Sequence, residues 1–164
     1  MSDESGFPAL DPAEVYVPSP TVAEFIQATR EGPVDEMRLL ILRGSRGEGK
    51  TSGGLWACVA LAERVAEEAP TSLPLLVGVV RDTWTNLKRT TLLSFEENAK
   101  TGLALRFMND QHEATVGPED DPFLHFYFFG LDSSKDVDNL QGFTCGIFWP
   151  EEVAPAAGVA TRGD

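Results

Sequence analysis

The chain has 164 residues, 42% of them hydrophobic and 24% charged, which is enough for one domain with a real core and ordinary for a globular protein. Its 26 acidic side chains against 13 basic ones give a net charge of −13, a balance that repels nucleic acid, so this stretch is not expected to supply the main grip on DNA. No apolar run approaches the roughly 20 residues that span a bilayer, and the acidic start MSDESGFPAL lacks the basic-then-apolar pattern of a secretory signal, so the expected location is the cytoplasm with no membrane partner.

Residues 1–20 are acidic and carry prolines, and they read as an extended or flexible arm. In TVAEFIQATREG, Thr21 and Glu24 fit a capping box that opens a short helix, and Gly32-Pro33 stops it. MRLLILRG (37–44) is a short apolar run ending at glycine, which predicts a buried parallel strand. KTSGGLWACVALAERVAEEA (50–69) places Leu55, Cys58, Val59, Ala62, Val65 and Ala66 on one helical face. Gly53 and Gly54 cost that helix propensity and suggest close packing against a sheet.

LPLLVGVVR (73–81) is a second apolar strand, and DTWTNLKRTTLLSFEENAK (82–100) a helix capped by Asp82 or Thr83. LALRFM and HEATVG predict short strands, with GPEDD as an exposed turn. FLHFYFFG (123–130) is apolar on both faces and predicts an interior strand. LDSSKDVDNLQG reads as a polar loop or short helix, FTCGIFW as the last strand, and PEEVAP as its carboxyl end. Strands alternating with helices imply a parallel α/β sheet.

Two cysteines far apart, Cys58 and Cys145, make neither a disulfide framework nor a metal cluster and read as small buried residues. His112 and His125 have no partners at ligand spacing and read as structural. Trp56, Trp84 and Trp149 fall in helix or strand patterns that predict core packing, and Glu119-Asp120-Asp121 reads as a solvated turn.

The chemistry concentrates in Gly44-Ser45-Arg46-Gly47-Glu48-Gly49-Lys50-Thr51, which fits G-x-x-x-x-G-K-[ST] without a mismatch, with a predicted strand before and an amphipathic helix after. Glycines permit backbone angles denied to other residues and keep Cβ atoms clear. Successive N–H groups then turn inward around a phosphate, and the helix that follows points its positive end at the same anion. Gly44, Ser45, Arg46, Gly47, Glu48, Gly49, Lys50, Thr51 and Ser52 are the expected nucleotide-binding residues. Lys50 should reach the β- and γ-oxygens, and the Thr51 hydroxyl should coordinate Mg²⁺.

Hydrolysis needs in addition a metal-side carboxylate and a group that orients water. Glu151 and Glu152, after the apolar run CGIFWP, fit those two roles, with Glu151 on the Mg²⁺ side and Glu152 polarising the water. The metal-side residue is more often Asp, so the longer Glu151 arm needs the backbone to retreat, and Pro150 suits that turn. Arg43 reads as a strand end or a second phosphate contact. Arg81 stands at the carboxyl edge, where α/β sheets place ligands, and Gln141 lies before the last strand as a γ-phosphate sensor or a loop hydrogen-bonder. No N/T-K-x-D motif for guanine is present.

GSRGEGKT, VGVVRDTWTNLKRTTLLSF, FFGLDSSKDVDNLQG and IFWPEEVAP, in this order, resemble the ATPase domain of phage large terminase subunits, the motors that package DNA into procapsids. The resemblance runs from about Pro18 to Pro155. It implies an α/β P-loop NTPase of the additional-strand, RecA-like class, with a mainly parallel central sheet flanked by helices. The ATPase domain would occupy residues 21–164 and be incomplete at its C-terminus, the coupling segment and nuclease domain being absent. The resemblance assigns Arg46 an arginine-finger role on the γ-phosphate, beside Lys50 and Glu152 as catalytic residues and Thr51 and Glu151 as metal ligands. It puts the region of Phe25 and Gln27 near adenine. The partners it implies are ATP, Mg²⁺, double-stranded DNA, the portal and the small terminase subunit, in a homo-oligomeric ring in the host cytoplasm and transiently on the procapsid. Two alternatives stay open: another additional-strand ATPase such as a helicase-like motor, and a nucleotide-binding fragment without turnover.

Overall fold

The computed structural model describes residues 16–44 and 47–152. Five strands form one sheet in the order β2-β3-β4-β1-β5: β1 is Leu75–Arg81, β2 Leu105–Met108, β3 Glu113–Val116, β4 Leu124–Gly130 and β5 Ile147–Pro150. Strand β1 runs parallel to both β4 and β5, pairing Val77 with Phe126 on one side and with Ile147 on the other. Strands β2 and β3 add antiparallel to the outer side of β4. The sheet is therefore mixed α/β, parallel where helical crossovers join the strands and antiparallel where short connections do, the Asn109–Gln111 turn between β2 and β3 and the loop 117–123 between β3 and β4.

The sequence pattern accounts for most of this. Strands β1 and β4 are interior, as predicted, although β4 buries only alternate residues and carries His125 and Tyr127 on its half-buried face. Helix α2, Lys50–Glu68, buries Leu55, Cys58, Val59, Ala62 and Val65 against the sheet. Its glycines are where close packing requires them. A Cβ on Gly53 would run into Val22 of helix α1, Pro20–Arg30, and one on Gly54 into the Trp149 ring of β5. The turn Trp84–Asn86 (α3), capped by the Thr83 hydroxyl, opens the crossover after β1, and helix α4, Leu93–Lys100, closes it. From α4, Phe95 meets Phe126 and Phe128 edge-on at 5.0 and 5.2 Å, contacts worth about 0.5–1.5 kcal/mol each beyond simple burial. Helix α5, Ser134–Gln141, carries a capping box formed by Ser133 and Asp136. Among the described residues no helix is long and apolar enough to cross a membrane.

Three expectations are corrected. Residues 37–44 form no strand: Met37, Leu39 and Ile41 are largely exposed, and the run pairs with no described strand. An apolar run becomes a buried strand only where a sheet edge and covering helices await it. Helix α1 starts at Pro20 behind Ser19 rather than on a Thr21–Glu24 box, because proline's fixed φ suits the first helical turn and leaves Thr21 already inside. The last strand is shorter than FTCGIFW, beginning at Ile147, and it lies at an edge with Phe148 55% exposed. Residues 1–15 of the predicted arm and 153–164 lie outside the described residues.

Cys58 is sealed into the core, and burial pushes its thiol up to about 12, whereas Cys145 is half-buried. The thiolate is the reactive species. Iodoacetamide at pH 8 is therefore expected to label Cys145 in the folded chain and to spare Cys58 until denaturant is added. Mass spectrometry of the digested protein reads this directly, and equal labelling of both thiols without denaturant would contradict the packing.

Candidate nucleotide site

The glycine loop lies directly before helix α2. Gly47 and Gly49 both take left-handed backbone angles, φ 83° and 71°, which a side chain would strain. Gly49 is the N-cap of α2, and as a glycine it brings no capping side chain to the helix's first turn. Uncapped N–H groups at a helix start are what an anion binds. Lys50 Nζ donates to the carbonyl of Gly44 at 3.0 Å, folding its ammonium back over the loop. The Glu48 side chain occupies the space that a Cβ on Gly44 would need. Ser45 and Arg46 lie outside the described residues.

Tyr16 braces the far side of the loop. Its hydroxyl donates to the Gly49 carbonyl at 3.1 Å while its ring stacks on Trp56 at 6.1 Å. Trp56 is anchored in turn: its indole N–H donates to Asn98 Oδ1 at 2.8 Å, and Asn98 Nδ2 donates to the Ser52 hydroxyl at 3.0 Å. One buried amide on α4 thus ties the first turn of α2 to the crossover helix.

The two acids arrive from β5. The Glu151 N–H donates to Val80 O at 2.8 Å, extending the parallel ladder by one residue and carrying Glu151 to the carboxyl edge. Glu151 is buried, and its carboxylate accepts the hydroxyl of Thr51 on one oxygen and that of Thr91 on the other. Glu152 has φ 45°, left-handed and unusual for a side-chain-bearing residue, the kind of strain that clusters at functional positions. Its Oε2 accepts from Arg81 Nη2 at 2.6 Å. Arg81, 7% exposed at the end of β1, also donates to the Thr90 hydroxyl at 2.6 Å and lies 3.8 Å from Glu151 and 3.6 Å from Asp82.

Lys50, Thr51, Glu151 and Glu152 are thus linked through the turn of α2, the end of β5 and the end of β1. Thr51 and Glu151 are a hydroxyl and a carboxylate in contact, hard oxygen donors of the kind Mg²⁺ takes. No group of three or more His, Cys, Asp or Glu suited to a metal is found among the described residues. A site of this kind fits Mg²⁺, which keeps waters and borrows phosphate oxygens rather than filling an all-protein cage.

The other candidates fall elsewhere. Arg43 is exposed, and Gln141 is the exposed last residue of α5. Gln27 donates to Glu31 on its own side of α1. His112 stacks on Trp84 at 4.0 Å, and His125 pairs with Glu113 at 2.7 Å, so both serve packing and surface pairing. Trp56 is buried, and Trp149 packs half-buried against the core. Sequence reasoning missed Tyr16, Thr90, Thr91 and Asn98. The doublet Thr90-Thr91 inside an apolar helix pattern was the available signal.

No family model matches the chain, and no curated protein matches it. Among solved structures, the fold is similar to that of the large terminase of a thermophilic bacteriophage, with a TM-score of 0.58 and 20% identity over 84% of this chain. The match takes in 33% of that terminase, so the chain spans about a third of its length, and what the likeness establishes is a terminase-like α/β fold.

Proposed function

We propose that this chain binds Mg²⁺-ATP on the loop at 44–52 and hydrolyses the β–γ phosphoanhydride, as the motor core of a DNA-packaging machine. The observation that carries the reading is the convergence of Thr51, Glu151 and the Arg81–Glu152 pair beside a complete G-x-x-x-x-G-K-T loop. In this reading the amides from Gly47 to Thr51 and the Lys50 ammonium hold the β- and γ-oxygens. Thr51 uses its proton on Glu151, which leaves its oxygen lone pairs for a cation. Mg²⁺ there would supply charge neutralisation on the phosphate oxygens. Glu152, at the solvent side, would take the proton of the attacking water, and Arg46 would face the transferring phosphoryl group.

The terminase-like fold supports placing this motor in genome packaging, with double-stranded DNA, a portal, a small terminase subunit and a ring of copies as its partners, in the host cytoplasm and on the procapsid. A second reading, nucleotide binding without turnover, is favoured by one observation: Glu152 is held by Arg81, so its carboxylate is not turned to a water until the pair opens. Phosphate release by the chain with ATP tests both. The proposal expects release that requires Mg²⁺ and stops with EDTA. ATP binding with no release would select the second reading, and absence of both would refute the nucleotide site.

A further inference from the structure

Between α3 and α4, residues Leu87–Leu92 form a π-helical segment, and it delivers two consecutive hydroxyls to the same place. In a regular α-helix neighbouring side chains diverge by about 100°. Here Thr90 receives Arg81, and Thr91, fully buried, donates to Glu151. Insertions of this kind in helices recur at functional sites.

We propose that Thr91 is a positioning residue that keeps Glu151 turned toward Thr51 and away from Arg81, so that the two adjacent acids stay sorted between the metal and the guanidinium. This rests on the Mg²⁺-ATP reading of the site. Glu151 has two carboxylate oxygens and three neighbours that compete for them: the hydroxyls of Thr51 and Thr91, both in hydrogen-bond contact, and the Arg81 guanidinium, 3.8 Å away. Arg81 is itself half-engaged. Its Nη2 holds Glu152, its Nη1 holds Thr90, and its Nε is buried without a hydrogen-bond partner in the described structure. A buried carboxylate that lost the Thr91 hydroxyl would need a new donor, and the Arg81 guanidinium, whose Nη1 lies 3.8 Å from it, is the charged group within reach. Rotation that way would take Glu151 off Thr51, and Thr90 fixes the place where the arginine waits. Thr91 thus acts on the metal through Glu151 and touches neither nucleotide nor cation.

The test is calorimetric titration of ATP into the full chain at a series of Mg²⁺ concentrations and in EDTA, for the wild type, Thr91→Val and Thr91→Ser. Thr91→Val keeps the shape and removes the donor. It is expected to raise the Mg²⁺ concentration that half-saturates the metal-dependent gain in ATP affinity by about tenfold or more, as loss of a partner behind a metal ligand generally does. Affinity in EDTA should stay within about twofold, and Thr91→Ser should restore the wild-type Mg²⁺ dependence. An unchanged half-saturation in Thr91→Val overturns the proposal. So does an equal loss in EDTA and in Mg²⁺, or a failure of Thr91→Ser to restore, since either result makes the residue a packing element only. If Thr91→Val does not fold, Thr91→Ala carries the same expectations. Lys50→Ala separates the two levels: if it too leaves ATP affinity unchanged, the nucleotide reading is at fault rather than the role of Thr91.

Discussion

Glu152→Gln is expected to cut phosphate release by about 100-fold or more while ATP affinity stays within about threefold. Gln keeps the length and the hydrogen-bonding oxygen of Glu152 but cannot accept a proton at neutral pH. The Glu152 side chain is 58% exposed, so the fold does not depend on it. Arg81 keeps Thr90, Asp82 and Glu151 within reach, so the end of β1 stays ordered when its charge partner becomes neutral. Single-turnover phosphate release, with ATP binding measured separately by calorimetry, gives both numbers. Turnover unchanged in Glu152→Gln would remove this residue from the chemistry, whatever its position.

Lys50→Ala is expected to act on the other half of the cycle and weaken ATP binding by about 10- to 100-fold, the value of a charge-assisted hydrogen bond or two to phosphate. Lys50 opens α2 and touches the loop through Gly44 O, so its removal does not disturb a core contact. Alanine is the best helix former, which keeps the first turn of α2 intact. A melting temperature close to wild type together with lost affinity would therefore identify a binding effect. Retained affinity would contradict the assignment of the loop.

How far these positions were legible follows from what a linear pattern encodes. Helix α2 and strands β1 and β4 carry long, consistent periodicities, and they stand where the pattern predicts them. The loop at 44–52 carries its conformational demands in its glycines, and Gly47 and Gly49 do adopt the left-handed angles that only glycine takes cheaply. The place of Glu151 and Glu152 at the carboxyl end of β5 was readable because the apolar run before them predicts the strand that carries them there. Residues 37–44 show the limit. Their composition states a preference for burial, but burial requires a neighbour that composition cannot name, and here Leu39 stands 85% exposed. The antiparallel turn between β2 and β3 was equally hidden, since Asn109, Asp110 and Gln111 reach left-handed angles without a single glycine. The Thr90-Thr91 doublet marked the place, but the role of Thr91 was hidden for a different reason. A hydroxyl inside a helix usually bonds back to its own backbone, as Thr90 does to Asn86 O, and only the π-helical segment turns its neighbour outward onto Glu151.

The most direct measurement is a crystal structure of the chain with Mg²⁺ and a non-hydrolysable ATP analogue. The account predicts β- and γ-phosphate oxygens within about 3.1 Å of main-chain N–H groups between Gly47 and Thr51. It places Lys50 Nζ on those oxygens, the cation beside the Thr51 hydroxyl that Glu151 accepts, and Glu152 facing the γ-phosphorus. A triphosphate bound elsewhere, or bound in the loop with Glu151 and Glu152 turned away from it, would contradict the account.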